Sequence, residues 1–311
     1  MCRISVITSL FNCQQYLNGY FMATAQIENK DEIEILLIHN DPKEDELKII
    51  NDFLPGLPFI KHVIVEREGL YNTWNRGVKM AKGNYVTTWN VDDVRLPHSL
   101  SDQADALDKN ADAALAYGNF KIVNKYGNTE GKDVNEPEFD SNNNTFRENF
   151  HIGCFPMWRK GIHDSIGYFD EQFRLIADLD FQIRVAKRYN MIKVNKHLGF
   201  YLEGTSANLS SDFSIQDKEH TVLHLRYGNF NSIFLTHVIN GLKNFKIFSY
   251  KWYGAYHPMS QWVVEDKFSY VVKFPLIIFS ILKWPRHLAK KYIKKHLVRM
   301  KQNKLNGNFA S

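Results

Sequence analysis

The chain has 311 residues, 44% hydrophobic and 23% charged, which is typical of globular proteins. Its three cysteines show no paired spacing, so neither a disulfide framework nor a thiolate metal site is expected. The formal net charge is +5, yet residues 283–304 hold nine Lys and Arg and no acidic residue, so the remainder is net acidic. A basic body that binds nucleic acid is therefore not expected.

Short β-rich runs alternate with helical patterns along the first 90 residues. The runs ISVIT, IEILLIH, HVIVE and NYVTTW are typical of buried strands, and helices are predicted over 14–29, 44–53 and 70–80. This order predicts an α/β fold with a mostly parallel sheet flanked by helices. Ligands of such sheets bind beyond the carboxyl ends of the strands.

The middle of the chain changes character. Residues 124–149 are polar and long for a simple connection, which predicts a mobile loop over the site. A helix is predicted over 178–188, because carboxylates in a first turn suit the helix dipole. We place the main domain at residues 1–210 and a helical extension at 211–311.

Two adjacent acids, Asp92 and Asp93, follow the fourth predicted strand in the phrase TTWNVDDVRLP. Acids at such a place can cap a helix or form a turn, pair with basic residues, or hold a divalent cation. Magnesium is usually held by one or two carboxylates, with substrate phosphates and water completing its shell. These residues alone leave all three uses open.

Four phrases occur in order: ISVITSLFN, EILLIHNDPKED, EREGLYNTWNRGVKMAKGNYVTTWNVDD and GYFDEQFRLIADLDFQIRVA. Together they resemble an inverting family-2 glycosyltransferase of GT-A fold, over about residues 3–204. The resemblance implies a Rossmann-like catalytic domain over 1–210, followed by the helical extension. It also implies a nucleotide-diphosphate sugar as donor and Mn²⁺ or Mg²⁺ as cofactor.

The acidic motifs take their expected roles from this resemblance. NVDD stands at the family's Asp-x-Asp position, which implies Asp92 as the metal ligand. Asn90, in place of the usual first acid, and Asp93 would orient water, ribose or sugar hydroxyls. ADLD stands at the Glu-Asp position and implies Asp178 as the catalytic base, with Asp180 as the alternative.

Further residues are expected to contact the donor. The turn after the first strand corresponds to the family's nucleotide loop, and the end of the second strand to its base contact, which is ambiguous by one residue. GLYNTWNRG follows the family's Gly-Ile-Tyr-Asp-x-Met-Asn-Lys-Gly form. The implied donor contacts are Thr8, Phe11, Asn40 or Asp41, Asn75 and Arg76. Phe11 fits a core aromatic equally well, and Arg76 fits a solvated helix residue.

The expected activity is transfer of one sugar to a saccharide or lipid-linked saccharide acceptor. The sequence has no Gln-x-x-Arg-Trp phrase and no apolar run of about 20 residues that could cross a bilayer, which disfavours a processive synthase. One alternative is a catalytically silent sugar-nucleotide-binding or scaffold protein, because Asn90 and Ala177 stand where acids are usual. Another is a nucleotidyltransferase of similar fold, although TSLFNCQQ lacks its Gly-rich phosphate loop.

In the basic C-terminal tail, about residues 268–304, a short apolar run is followed by a predicted helix rich in lysine. It is too short and too charged to span a bilayer, and it is typical of a helix lying on an anionic membrane surface. The alternative is a helix that packs on the body or on a dimer partner. The N-terminus lacks the pattern of a secretory signal, so we expect a cytoplasmic protein at the inner face of the membrane.

Overall fold

The computed structural model describes residues 2–203, 213–227 and 235–259. Contacts divide the chain into two units. The first unit holds residues up to Gln216 and a hairpin that begins at Ser249, and the second holds the described residues from Asp217 to Phe248. The basic tail lies outside the described residues.

The first unit is built on one sheet of nine strands within the described residues, with a separate two-stranded hairpin. The sheet order is β3-β2-β1-β4-β8-β6-β9-β5, and β7 pairs with β6. The strands are β1 Ile4–Leu10, β2 Ile33–Asn40, β3 Ile60–Val65, β4 Tyr85–Thr88, β5 Val94–Arg95, β6 Ala113–Val123, β7 Lys132–Val134, β8 Met157–Arg159, β9 Asn190–Leu202, β10 Ser249–Trp252 and β11 Ala255–Pro258.

Helices connect and flank these strands. They are α1 Gln14–Thr24, α2 Glu44–Phe53, α3 Leu70–Met80, α4 Ser99–Lys109, α5 Thr145–Glu148, α6 His163–Ile166, α7 Ala177–Arg188, α8 Phe213–Tyr227 and α9 Leu235–Asn244. None of the described helices is both long and apolar enough to cross a bilayer.

The amino-terminal half confirms the predicted parallel α/β arrangement. β1 lies between β2 and β4 and is parallel to both, and β2 is parallel to β3. β1 and β2 are buried almost throughout, as expected of central strands with helices on both faces. Their carboxyl ends, with those of β3 and β4, therefore meet at one edge of the sheet.

The second half of the sheet mixes directions. β8 is antiparallel to both β4 and β6, so β4 and β6 point the same way. β9 is parallel to β6, and β5 is antiparallel to β9. The carboxyl end of β6 and the start of β8 thus lie at the same edge as the end of β4.

Three elements differ from the sequence expectations. The predicted helix over 14–29 ends at Thr24, and the chain turns through Asn29, which has a positive φ of 54°, before β2. The polar segment 124–149 contains β7 and α5. The segment assigned to a helical extension contains α8 and α9 but also the β10–β11 hairpin, which belongs to the first unit.

Candidate active site

The residues expected to bind the donor follow the carboxyl ends of parallel strands. Phe11 lies just beyond β1, Asp41 just beyond β2, and the acid loop, residues 90–93, just beyond β4. α3 begins at Leu70, soon after β3 ends, so its first turn lies at this edge as well. One edge of the sheet therefore carries residues predicted to contact the donor and the metal.

Asp93 holds the acid loop in shape. Its side chain is 1% exposed, and its carboxylate accepts hydrogen bonds from the Asn90 amide at 3.1 Å and the Leu202 backbone N–H at 3.2 Å. The buried Trp89 donates its Nε1–H to the Asp93 carbonyl at 3.0 Å. Burial raises the pKa of Asp93 well above its ordinary value, and the charge of Asp92 adds to this effect. Asn90 and Asp93 thus contact each other and the protein backbone.

Asp92 is the acid of this loop that remains partly exposed. Burial raises the pKa of its carboxyl group, and no other side chain of the described residues forms a hydrogen bond or ion pair with it. A carboxylate in this state fits a divalent cation as its counter-charge. No group of three or more His, Cys, Asp or Glu side chains suited to a metal occurs in the described residues. A cation here would depend on Asp92, water and ligand phosphates.

The expected base, Asp178, lies in the first turn of α7 and is partly exposed. Its Oδ1 accepts hydrogen bonds from the Tyr71 hydroxyl at 3.3 Å and from the Leu179 backbone N–H at 2.8 Å. Tyr71 belongs to the first turn of α3, so this contact brings Asp178 to the edge that carries the acid loop. Sequence reasoning missed Tyr71, although it is the tyrosine of the GLYNTWNRG phrase.

Asp180, the alternative base, has a structural role instead. Its side chain is fully buried and forms an ion pair with Arg184, whose Nε and Nη2 each lie 2.9 Å from Oδ2. Arg184 also donates to the Ile166 carbonyl at 2.6 Å. The buried ion pair with Arg184 occupies this carboxylate, so Asp178 is the favoured candidate for the base.

Phe11, Asp41 and Arg67 form an exposed group where the first three strands end. The Arg67 guanidinium lies 3.3 Å from the centre of the Phe11 ring, which is 39% exposed. Burial lowers the pKa of Arg67, while the nearby charge of Asp41 acts in the opposite direction. Phe11 is therefore a surface aromatic, and the core alternative for it is wrong. Arg67 was not predicted, because nothing in its local sequence shows that β1 and β3 end near each other.

Asn40 and Thr8 are committed to contacts inside the protein. Asn40 is buried, its amide donates to Thr73 Oγ1 at 3.2 Å, and its Oδ1 accepts the Glu68 backbone N–H at 3.0 Å. Thr8 is also buried, and its hydroxyl is 2.7 Å from the Tyr20 hydroxyl. Of the two residues left open for the base contact, Asp41 is the exposed one.

Asn75 and Arg76 both form contacts with other parts of the protein. Asn75 is fully buried, and its amide bonds to both backbone groups of Phe169 and to Glu171. Arg76 forms a bidentate ion pair with Glu68, at 2.9 and 2.8 Å. These contacts give both side chains a structural role; Arg76 remains partly exposed, and its donor contact stays a prediction.

Comparison with known proteins agrees with this architecture. The model for Glycosyl transferase family 2 matches residues 5–167. A PGL/p-HBAD biosynthesis glycosyltransferase of Mycobacterium bovis is 26% identical over 193 residues, which cover 60% of this chain and 71% of that protein.

Two solved structures share the fold. S. aureus TarS 1–349 in complex with UDP-GlcNAc has a TM-score of 0.57 at 20% identity, covering 72% of this chain and 66% of that one. The mannosyltransferase PcManGT of Pyrobaculum calidifontis, in complex with GDP-Man and Mn²⁺, has a TM-score of 0.52 at 13% identity, covering 78% and 68%. The expected GT-A type of α/β fold is confirmed. Because the family model covers more than half of the chain, the protein belongs to glycosyl transferase family 2 and is a glycosyltransferase.

Proposed function

We propose that this glycosyltransferase moves a single sugar from a nucleotide-diphosphate sugar to an acceptor hydroxyl, with inversion at the anomeric carbon. The observation that carries the proposal is the position of Asp178, partly exposed and hydrogen-bonded to Tyr71 at the sheet edge where the acid loop begins. Proteins of the same fold bind UDP-GlcNAc and GDP-Man, which supports a nucleotide sugar as donor.

Asp178 is proposed as the general base. An attacking hydroxyl must lose its proton as it bonds to the anomeric carbon, and a placed carboxylate can take it. The Tyr71 hydroxyl and the Leu179 N–H both donate to Oδ1. These two hydrogen bonds fix the orientation of the carboxylate. The proton of the acceptor hydroxyl would then pass to the Asp178 carboxylate itself. In-line attack in one step then inverts the configuration without a covalent sugar-enzyme intermediate.

Asp92 is proposed to hold Mn²⁺ or Mg²⁺, which would supply positive charge beside the departing diphosphate. Its carboxylate fits this use because no other side chain of the described residues neutralises it. Asn90 and Asp93 support it from within the acid loop, through the hydrogen bond between their side chains.

The nucleotide base is proposed to lie against Phe11 and Asp41. Phe11 offers an exposed aromatic face, and Asp41 offers hydrogen-bond acceptors at the end of β2. Thr8 and Asn40 would support this surface from inside, because their side chains bond to Tyr20 and Thr73.

The acceptor is proposed to be a saccharide or a lipid-linked saccharide of surface-polysaccharide synthesis. The basic tail, about 268–304, would bring the enzyme to the anionic inner face of the cytoplasmic membrane. This element of the proposal rests on the sequence alone, since the tail lies outside the described residues. The glycosyltransferase family match disfavours the nucleotidyltransferase alternative.

A donor screen tests the proposal. Melting temperatures are measured with UDP-sugars and GDP-sugars, each with and without Mn²⁺, and one donor class should stabilise the protein only with the cation. Asp92→Asn should abolish the Mn²⁺-dependent shift, whereas Asp52→Asn, at an exposed acid of α2, should retain it. An equal shift in Asp92→Asn would remove Asp92 from the metal site. Donor binding without turnover, with any acceptor or water, would favour the silent sugar-nucleotide-binding alternative.

A further inference from the structure

A pair formed by His151 and Glu136 lies at the same sheet edge as the acid loop. The Glu136 backbone N–H donates to Asn119 Oδ1 at 3.1 Å, and Asn119 is three residues beyond Ala116, where β6 pairs with β8. His151 lies six residues before Met157, the start of β8. Since β6 ends and β8 begins at the edge where β4 ends, the pair lies at the ligand-binding edge.

Gln182 attaches the segment that carries His151 to the helix of Asp178. Its Oε1 accepts the backbone N–H groups of His151 at 2.7 Å and Ile152 at 3.1 Å. Its Nε2 donates to the carbonyls of Phe146 at 2.6 Å and Asn149 at 2.8 Å. Gln182 follows Asp178 by four residues in α7, so the two share a helix face about 6 Å apart along the axis. The segment is thus fixed about one turn from Asp178.

Only one of the two ring nitrogens of His151 has a hydrogen-bond partner in the part of the chain that the structure describes. Its Nδ1 is 3.0 Å from Glu136 Oε2, and its ring lies 5.1 Å from the buried Phe146 ring. Nε2 is buried and has no hydrogen-bond partner among the described residues. Glu136 is 9% exposed, and burial raises the pKa of its carboxyl group while the hydrogen bond with His151 opposes this.

The chemistry of Nε2 restricts its partner. An ionised carboxylate only accepts hydrogen bonds, so in the neutral imidazole Nδ1 carries the proton and Nε2 presents a lone pair. Phosphate oxygens at neutral pH are acceptors too, so they do not satisfy Nε2 of the neutral ring. A sugar hydroxyl does, because it can donate. A buried polar atom left without a partner is unfavourable, which indicates a partner from outside the chain.

We propose that His151, oriented by Glu136, is an acceptor-binding residue whose Nε2 accepts a hydrogen bond from a hydroxyl of the acceptor saccharide. The proposal rests on the proposed function, because it places the acceptor beside α7 and near Asp178. It adds a binding contact on the β6–β8 side of the cleft, while the proposed nucleotide contacts lie at the ends of β1, β2 and β4.

Two variants separate a ligand contact from a structural role. Asn at position 151 can keep a hydrogen bond to Glu136 but places nothing at Nε2, whereas Gln can place an amide near Nε2 but loses the Glu136 contact. The acceptor probes are p-nitrophenyl β-hexosides, used with the donor identified by the screen. His151→Asn should raise the KM for these glycosides about fivefold, the effect of one hydrogen bond. His151→Gln should recover part of the loss, and the calorimetric Kd for nucleoside diphosphate with Mn²⁺ should not change in either variant.

His98→Asn is the matched control. His98 forms a similar pair with Asp102, at 2.7 Å, but it follows β5, which runs opposite to β4 and ends at the other edge of the sheet. This variant should leave the glycoside KM and the nucleotide Kd unchanged. Melting temperatures of all three variants show whether each one folds.

Each of the following outcomes would overturn the inference. An unchanged glycoside KM in His151→Asn would mean that water satisfies Nε2, and a tenfold weaker nucleotide Kd would assign His151 to the donor. If His151→Gln raised the glycoside KM and His151→Asn did not, only the hydrogen bond to Glu136 would matter, and His151 would have a structural role. If the wild-type protein neither binds nor hydrolyses any nucleotide sugar, the proposed function itself fails, and this inference fails with it.

Discussion

Asp178 is the residue whose replacement tests the proposed proton transfer most directly. Asn keeps the size and the hydrogen-bond acceptor of the carboxylate but cannot take a proton. Asp178→Asn should therefore lower kcat by a factor of about 10² to 10⁴ while the affinity for the donor persists. Release of nucleoside diphosphate measures the first quantity and calorimetry the second. Asp164→Asn, at an exposed acid of α6, is the control, and full activity in Asp178→Asn would move the base elsewhere.

Tyr71 positions Asp178 and does not need to touch the substrate. Its ring packs against Trp74 and Phe169, at 5.3 and 6.0 Å, and its hydroxyl donates to Asp178 at 3.3 Å. Tyr71→Phe keeps the ring packing and removes one hydrogen bond worth about 1 kcal/mol. We expect kcat to fall about fivefold with the donor KM unchanged, measured by steady-state kinetics. A change in donor KM alone would contradict a positioning role.

At the scale of elements, buried His163 links β8 to the loop that precedes α7. The Trp158 indole N–H donates to its Nε2 at 2.8 Å, and its Nδ1 is 3.0 Å from the Gly167 carbonyl. Burial lowers the pKa of His163 to about 3, so the folded protein binds its proton less readily than the unfolded chain, where the pKa is about 6.5. Stability is then fully present above pH 6.5 and decreases as the pH falls toward 3.

The pH dependence of unfolding checks this assignment. Urea unfolding at pH values from 7 to 4.5 should give a free energy of unfolding that falls with pH, with on the order of 2 kcal/mol from this histidine. His163→Gln removes the titrating ring, so its free energy should fall less steeply than that of the wild type. Parallel curves for the two proteins would contradict the buried neutral histidine.

Elements with a regular burial period were predictable from sequence, and elements set by distant contacts were not. α3 has its predicted bounds, because Trp74 and Val78 recur at helical spacing and are both buried. The β10–β11 hairpin was missed, since its four-residue strands are too short to show an alternation. The hairpin is held by residues distant from it in sequence, for example by the hydrogen bond from the Lys251 N–H to Asp170 Oδ1.

The same distinction holds for the candidate site. Asp92 and Asp178 could be named as candidates from sequence because each belongs to a phrase whose order and spacing resemble a family motif. The surroundings of a side chain could not be predicted in this way. Asn75 has the expected sequence position, but its buried amide donates a hydrogen bond to the Phe169 carbonyl. His151 could not be singled out, because its significance comes from Glu136 and Gln182, which meet it only in the folded chain.

At the scale of the whole molecule, charge is divided between a net acidic body and a basic end. Residues 283–304 carry nine Lys and Arg and no acid, and each such residue near an anionic surface contributes about 1 kcal/mol of attraction. Deleting residues 283–311 should therefore release the protein from anionic vesicles in a sedimentation assay. Activity on short soluble acceptors should persist, because the proposed catalytic groups all lie before residue 210. Neutral vesicles and high salt are the controls, and unchanged binding to anionic vesicles would mean that the tail packs on the body or on a second copy instead.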